Sequence, residues 1–388
     1  MRSPFTAMVA WVVVATSLYG LGWTRLFGPL RGDTALFLSF VGLLFLVLAT
    51  AVPTTRSADP AAPVRAVTVF AITAYYFVAY AASGGVPLLL VMSGGAYDIY
   101  GFGIEGLHIF ALCLTGYYAV RLFRAAITRG GKWVWIGWIW LTLLVTSIGN
   151  RSALSFLVFA CAFLLLRRYK LNAASMVFAL AFAIAFMLFF GGFGDVRLSF
   201  QIEQATSQQG SSSAILNLSG ATQRFSETGL PPSSLWLYMY FVSPVANLNQ
   251  AFAYAGGGLC GQSCDLAGLL VHGFVPDAVG QRFAELFSVP RFDKSAFLIA
   301  PNLTASTLFG SAVGYAGLLG GVLLLMWVAV VCILVMRLLA GTDVYEEGVA
   351  ILATVVFFSF FENMIAYSAL SLQLVLVLLR GRLRIRWL

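Results

Sequence analysis

The stretch VTSIGNRSALSFLVF, residues 145–159, sets an arginine inside an apolar run that extends from Trp133 to Leu166. As one helix those residues would rise roughly 50 Å, against a bilayer hydrocarbon core of about 30 Å. A single span cannot hold them, so the chain must turn, and Gly149-Asn150 is the natural place. Each resulting arm reaches only about 24 Å. The tip with Asn150, Arg151 and Ser152 is therefore expected below the outer membrane surface. Non-helical backbone at that depth is tolerated only in a pocket lined by protein and water. An ionisable residue there marks a functional site by default. A structural arginine, salt-bridged for instance to Glu362, is the alternative.

Working outward, 60% of the 388 residues are hydrophobic and 10% charged, and the mean hydropathy is +0.91. No soluble core needs so much apolar material, so an all-α polytopic membrane protein is expected. The net charge of +8 does not indicate a nucleic-acid partner, because the basic residues fall at the ends of apolar runs, where topology signals belong. Cys113, Cys161 and Cys332 lie in apolar runs and Cys260 and Cys264 in a polar loop, with no zinc-like spacing. The first apolar run lacks a small-residue cleavage site and reads as a retained span.

Runs able to span are 5–23, 34–52, 66–82, 105–122, 133–148, 152–166, 171–190, 312–336, 348–361 and 364–379. The basic segments RLFRAAITRGGK (121–132), RRYK (167–170) and RGRLRIRWL (380–388) orient them with both termini cytoplasmic. The organisation expected is seven spans in 1–190, a large external loop in 191–305 and three spans in 306–388. One segment resists: 337–347 holds three acids and one arginine, yet must be cytoplasmic. Acids weigh little in that rule. The external loop holds the Ser/Gln-rich GGFGDVRLSFQIEQATSQQGSSS. It also holds LWLYMYFVSPVANLNQAFAYAGGG (235–258), read as amphipathic helix broken at Pro244 and lying at the interface or re-entering.

The length argument recurs in 348–379, where two short arms flank FFENM and place Glu362 and Asn363 at a second recessed tip. Two polar tips sunk from one side imply an outward-facing cavity. Candidate anion ligands in the loop are Arg197, Arg224, Arg282 and Arg291, because guanidinium forks hold phosphate bidentately at any working pH. Each also reads as a solvated surface charge. Candidate bases are His272, Glu227, Asp195, Asp98 and Glu105; His272 and His108 equally read as structural histidines. Cys260 and Cys264 form a small-loop disulfide or remain two thiols. Trp236, Tyr238 and Tyr240 offer faces for sugars, or belong to an aromatic belt. No P-loop, metal-ligand set or Ser-His-Asp order is present.

Four stretches, taken in order, resemble the bacterial Wzy-type polymerases of O-antigen and capsule repeat units. They are GGVPLLL with YGFGIEGLHIF (84–110), GNRSALSF (149–156), YMYFVSPVANLNQAF (238–252) and NLTASTLFGSAVGYAGLLGG (302–321). The resemblance implies a C-type membrane fold and a metal-independent inverting glycosyltransferase without a cofactor. The enzyme would join oligosaccharide repeat units carried on undecaprenyl diphosphate, as donor and acceptor, at the periplasmic face of the inner membrane. A chain-length-regulating co-polymerase and a flippase would be its partner proteins. It implies a diphosphate role for Arg151, Arg197 and Arg224. O-antigen ligases, a near alternative, carry a histidine before the Asn that opens the late motif; Pro301 precedes Asn302 here. A flippase would bury ionisable residues in mid-span, and these spans are nearly free of them.

Overall fold

The computed structural model describes residues 3–52, 64–92, 101–104, 106–169, 219–262 and 264–383. The expected seventh span, the Ser/Gln-rich stretch, and Asp98, Glu105, Asp195 and Arg197 lie outside the described residues. Their regular structure is helical, and extended pairing among them is confined to an isolated bridge between Thr24 and Ala221. The main helices are α1 (Pro4–Tyr19), α2 (Gly32–Ala51), α3 (Ala66–Ala82), α4 (Leu107–Arg129), α5 (Lys132–Ser147) and α6 (Arg151–Arg168). They continue as α7 (Pro232–Ala255), α8 (Asp277–Phe287), α9 (Thr307–Leu339), α10 (Tyr345–Phe358) and α11 (Ser368–Leu383). Four helical stretches, Gly32–Ala51, Ala66–Leu90, Leu107–Arg129 and Thr307–Leu339, are long and apolar enough to cross a membrane.

The turn between α5 and α6 falls at Ile148–Asn150, with Gly149 at φ +73°. A positive φ is open to glycine without a steric penalty. Asn150 caps α6, its Oδ1 accepting from the Ala153 amide at 3.2 Å. The arms hold 16 and 18 residues. The second short hairpin holds 14 and 16 residues in α10 and α11, around a tip at 359–367. At 1.5 Å per residue each arm rises roughly 21–27 Å.

Where the sequence suggests a break at Pro244, the structure has one unbroken helix, α7, of 24 residues. Proline removes one backbone bond, but packing outweighs it. Val242, Val245, Ala246, Leu248, Ala251 and Phe252 are all buried, and α7 lies along α9 and α1 inside the bundle. Two asparagines then staple neighbouring segments to it. Asn247, 0% exposed, donates to the carbonyls of Leu303 (2.6 Å) and Ala305 (2.7 Å) and accepts from the Ile299 amide at 2.9 Å. Asn249 donates to the Pro29 carbonyl at 3.1 Å and accepts from the Arg31 amide at 2.9 Å.

Helix α9 is interrupted. Ala316 (φ −146°, ψ 33°) and Gly317 (φ +57°, ψ −147°) leave the helical region. The freed groups are taken up by the loop that Cys260 and Cys264 close as a disulfide. The Leu319 amide donates to the Leu259 carbonyl and the Asp265 amide to the Tyr315 carbonyl, each at 2.8 Å. The approach is backbone on backbone: a Cβ on Gly317 would lie 2.5 Å from the Gly261 nitrogen.

At the opposite end from the hairpin tips, the acid-rich 337–347 segment finds its counter-charges. Arg124 reaches both the Glu347 carboxylate and the Asp343 carbonyl. Arg167 grips Glu346 through Nε (2.7 Å) and a terminal nitrogen (3.2 Å). Arg380 lies 3.9 Å from Asp343. Arg124, Arg167 and Glu347 are at most 4% exposed. The three basic segments thus meet at one end of the bundle, on the one loop whose acids conflict with the charge rule.

Gly317→Ala, which meets both a glycine-only backbone region and the Gly261 amide, should lower the thermal midpoint by the equivalent of about 2 kcal/mol or more. Gly32→Ala, where nothing lies within 4 Å, should not. Glu347→Ala strands the Arg124 charge and should cost about 3–5 kcal/mol, whereas Arg124→Leu with Glu347→Leu should recover most of it; denaturation in detergent measures both.

Candidate functional site

The two hairpin tips stand side by side. Asn150, Ala153 and Phe156 from the first, and Tyr367, Ala369 and Gln373 from the second, line one narrow crevice that also takes in Gly116 of α4. Phe156 packs on Tyr367 and Phe358, with ring centroids 6.2 and 4.7 Å apart. Arg151 opens α6 as its first residue; its side chain lies outside the described residues.

The second tip is clasped by three separate segments. The start of α9 is held by amide bonds from Ser306 to the Phe361 carbonyl (3.1 Å) and from Leu308 to the Ser359 carbonyl (2.8 Å). From the 270–278 segment, Gly273 offers its carbonyl to Asn363 Nδ2 at 2.7 Å. Asp277 gives its amide to the Ala366 carbonyl at 2.6 Å, and Ala278 gives its amide to Ser368 Oγ at 2.8 Å. From the 292–297 segment, Lys294 ion-pairs with Glu362. Glu362 therefore has a partner in Lys294 of this segment.

These ties gather a group of ionisable side chains at the tip. Asp277 is half-buried, and burial is the main cause pushing its carboxyl above the ordinary range. Arg291 opposes that rise most, Glu362 adds to it, and Lys294 and His272 oppose it. His272 sits in a single π-helical turn, Leu270–Phe274, with its ring parallel to Tyr315 at 6.1 Å. Its Nε2 is buried and makes no hydrogen bond among the described residues. Tyr315 is fixed in turn, its hydroxyl accepting from the Phe292 amide at 2.8 Å. The residue lies directly before the break in α9, so the disulfide loop that caps the break also steadies the face on which His272 rests.

Other candidates are elsewhere. Arg224, on a short helical turn, Gln223–Ser226, and Glu227, which follows it, are exposed; the turn docks on residues 22–24 through Trp23 and Phe225. Glu227 accepts from Gln223 Nε2 at 2.9 Å. Neither makes a hydrogen bond or ion pair, among the described residues, with the groups around Glu362. Asn302 is exposed at a turn beside Pro301, and the carbonyls that follow it are those gripped by Asn247. Tyr238 is buried against Trp23 at 5.1 Å, whereas the exposed Tyr240 packs on Phe361 of the tip at 5.1 Å. Sequence reasoning names His272, Glu362 and Arg291 but misses Asp277 and Lys294. Asp277 carries one usable signal, an acid opening a short amphipathic run.

Chemically, the arrangement supplies paired cations at one helix-hairpin tip and a carboxyl and an imidazole beside them, with no group of three or more His, Cys, Asp or Glu placed to hold a metal among the described residues. Comparison with protein-family models, curated proteins and solved structures finds no match to this chain.

Asp277 makes a direct test of the site. Because burial raises its folded-state pKa, the penalty of its charge is absent below the ordinary carboxylate range and full above the raised value. Asp277→Asn should therefore be more thermostable than the parent at neutral pH, and the gain should vanish in acid. Melting curves across that range will show the trend.

Proposed function

We propose that this chain is a membrane-embedded, inverting oligosaccharide polymerase that joins lipid-diphosphate-linked repeat units into a surface polysaccharide. The observation that carries the reading is the meeting of the Asn150-Arg151 turn with the Glu362–Tyr367 tip, at the end of the bundle where Arg291, Lys294, Asp277 and His272 also gather. The ordered resemblance of four motifs to Wzy-type polymerases supports it independently.

In this reading the donor diphosphate lies at the first turn of α6. The amides at the start of that helix and the Arg151 guanidinium favour an anion there. As the bond from the anomeric carbon to the diphosphate breaks, the leaving group gains charge, which fixed cations stabilise more than they stabilise the substrate. The acceptor sugar hydroxyl attacks the opposite face, forming the new glycosidic bond with inversion. Its proton passes to Asp277, whose raised pKa suits a base, or to His272. Polyprenyl diphosphate departs. The exposed Tyr240 offers a flat apolar face beside the tip on which a sugar ring can rest. The reading places the site on the periplasmic side of a bacterial inner membrane. Arg197 lies outside the described residues and Arg224 away from this group, so within the large loop this reading puts the catalytic roles on residues 272–294.

Deletion in a host making a defined surface polysaccharide should leave single repeat units in place of the ladder. Complete polymer stranded on its carrier would indicate a ligase instead, and no repeat unit at the outer leaflet a flippase. Arg151→Lys, which keeps the charge but not the fork, should cut polymerisation about 100-fold or more at normal membrane levels. Full activity in that variant would remove the clamp. Asp277→Asn should lose activity while gaining thermal stability, the pairing expected of a group kept for function.

A further inference from the structure

Helix α8 is anchored on one side and bare on another, and its eleven residues sort into three faces. The inward face is small. Gly280 is buried, and a Cβ there would stand 2.5 Å from the Val271 carbonyl oxygen, so only glycine allows this seat. Gln281, Arg282 and Glu285 are exposed. Val279, Phe283, Leu286 and Phe287 recur at i, i+4, i+7 and i+8, the spacing of one helical stripe, and are between 44% and 73% exposed.

The attachment sets the level of this stripe. The first turn of α8 is bonded to Ala366 and Ser368, which close the hairpin of α10 and α11. The helix therefore lies at the end of the bundle, not beyond it. Its apolar stripe does not stand alone. The helix packs on the 270–274 turn, which packs on α9, and the joining segment shows exposed Leu266 and Leu270. Lipid covering the exposed residues of α9, such as Leu318 and Leu323, would run on to α8 without a gap. Charge narrows the partner further. Arg282 and Glu285 cancel on the polar side, so there is no cationic excess to seek anionic headgroups.

We infer that α8 lies in the plane of the membrane and inserts its Val279, Phe283, Leu286 and Phe287 stripe among lipid acyl chains, at the leaflet boundary nearest the two hairpin tips. Affinity comes from apolar burial and is indifferent to anionic lipid. The sequence suggests interfacial or re-entrant helix at 235–258; the structure puts that segment in the bundle and leaves 277–287 on its edge. On the polymerase reading, this holds Asp277 at the depth of a lipid-borne phosphate, but the inference needs only a membrane.

Spin labels test it in the full chain in lipid nanodiscs. Cys113, Cys161 and Cys332 are buried and Cys260 and Cys264 are bonded, so a label goes to a new surface thiol. Phe283→Cys, Leu286→Cys and Phe287→Cys should give labels that collide more with dissolved oxygen than with a water-soluble nickel chelate. Gln281→Cys and Glu285→Cys should show the reverse. The ordering should persist in nanodiscs of zwitterionic lipid alone and in those with added anionic lipid. Nickel access equal on both faces would overturn the inference, as would a stripe shielded from both reagents, which would mean protein cover from a second copy or from another part of this chain. Dependence on anionic lipid would also overturn it.

Discussion

The contact on which the rest of the tip depends is the meeting of two backbones, Gly317 of α9 and Gly261 of the disulfide loop. A continuous α9 would have no free carbonyl at Tyr315 and no free amide at Leu319. The break creates both, and the loop satisfies both at 2.8 Å. Unpaired backbone groups in a low-dielectric interior cost several kcal/mol each, so the break and the loop stabilise each other. The consequence is positional. Tyr315, fixed at the break, seats the His272 ring and orders Phe292; two residues on, Lys294 meets Glu362. A backbone break in one helix thereby sets charges at the tip of another hairpin.

Much of this was legible because it rests on length. The 133–166 run is too long for one span and too short for two, whatever it packs against, and its Gly-Asn pair is the one place a turn is easy. The structure turns there. The second tip emerges from the same arithmetic. Features that depend on partners were not legible. Pro244 looks like a break because local propensity is all a sequence displays, while the buried flank of α7 decides otherwise. The 337–347 acids look misplaced because their counter-ions sit on three segments remote in sequence. Asp277 shows in sequence only as an acid opening an amphipathic run, since its importance comes from Arg291, Glu362 and Lys294 closing on it.

The motif VANLNQAF also changes meaning. In sequence it is part of a loop pattern; in the structure its two asparagines hold the 299–305 and 29–31 segments by five hydrogen bonds between 2.6 and 3.1 Å. Fully satisfied buried amides of this kind specify one arrangement of irregular chain, because any other leaves polar groups unpaired. They explain how the irregular chain leading into α9 can present Arg291 and Lys294 at a defined place.

The two ends of the bundle treat charge differently, and that difference supports a division of labour. At the basic end Arg124, Arg167 and Glu347 are almost fully buried and matched by acids or carbonyls, as a lock must be, since one missing partner there would be ruinous. At the tip end Lys294 and Glu362 keep 27% and 36% of their side chains exposed. Asp277 carries a charge its surroundings disfavour, and the His272 Nε2 has no hydrogen-bond partner among the described residues. One end of the bundle thus pairs its charges out of reach, and the other leaves them open to the surroundings. On the polymerase reading, the groups kept reachable at the tip are those that a substrate completes.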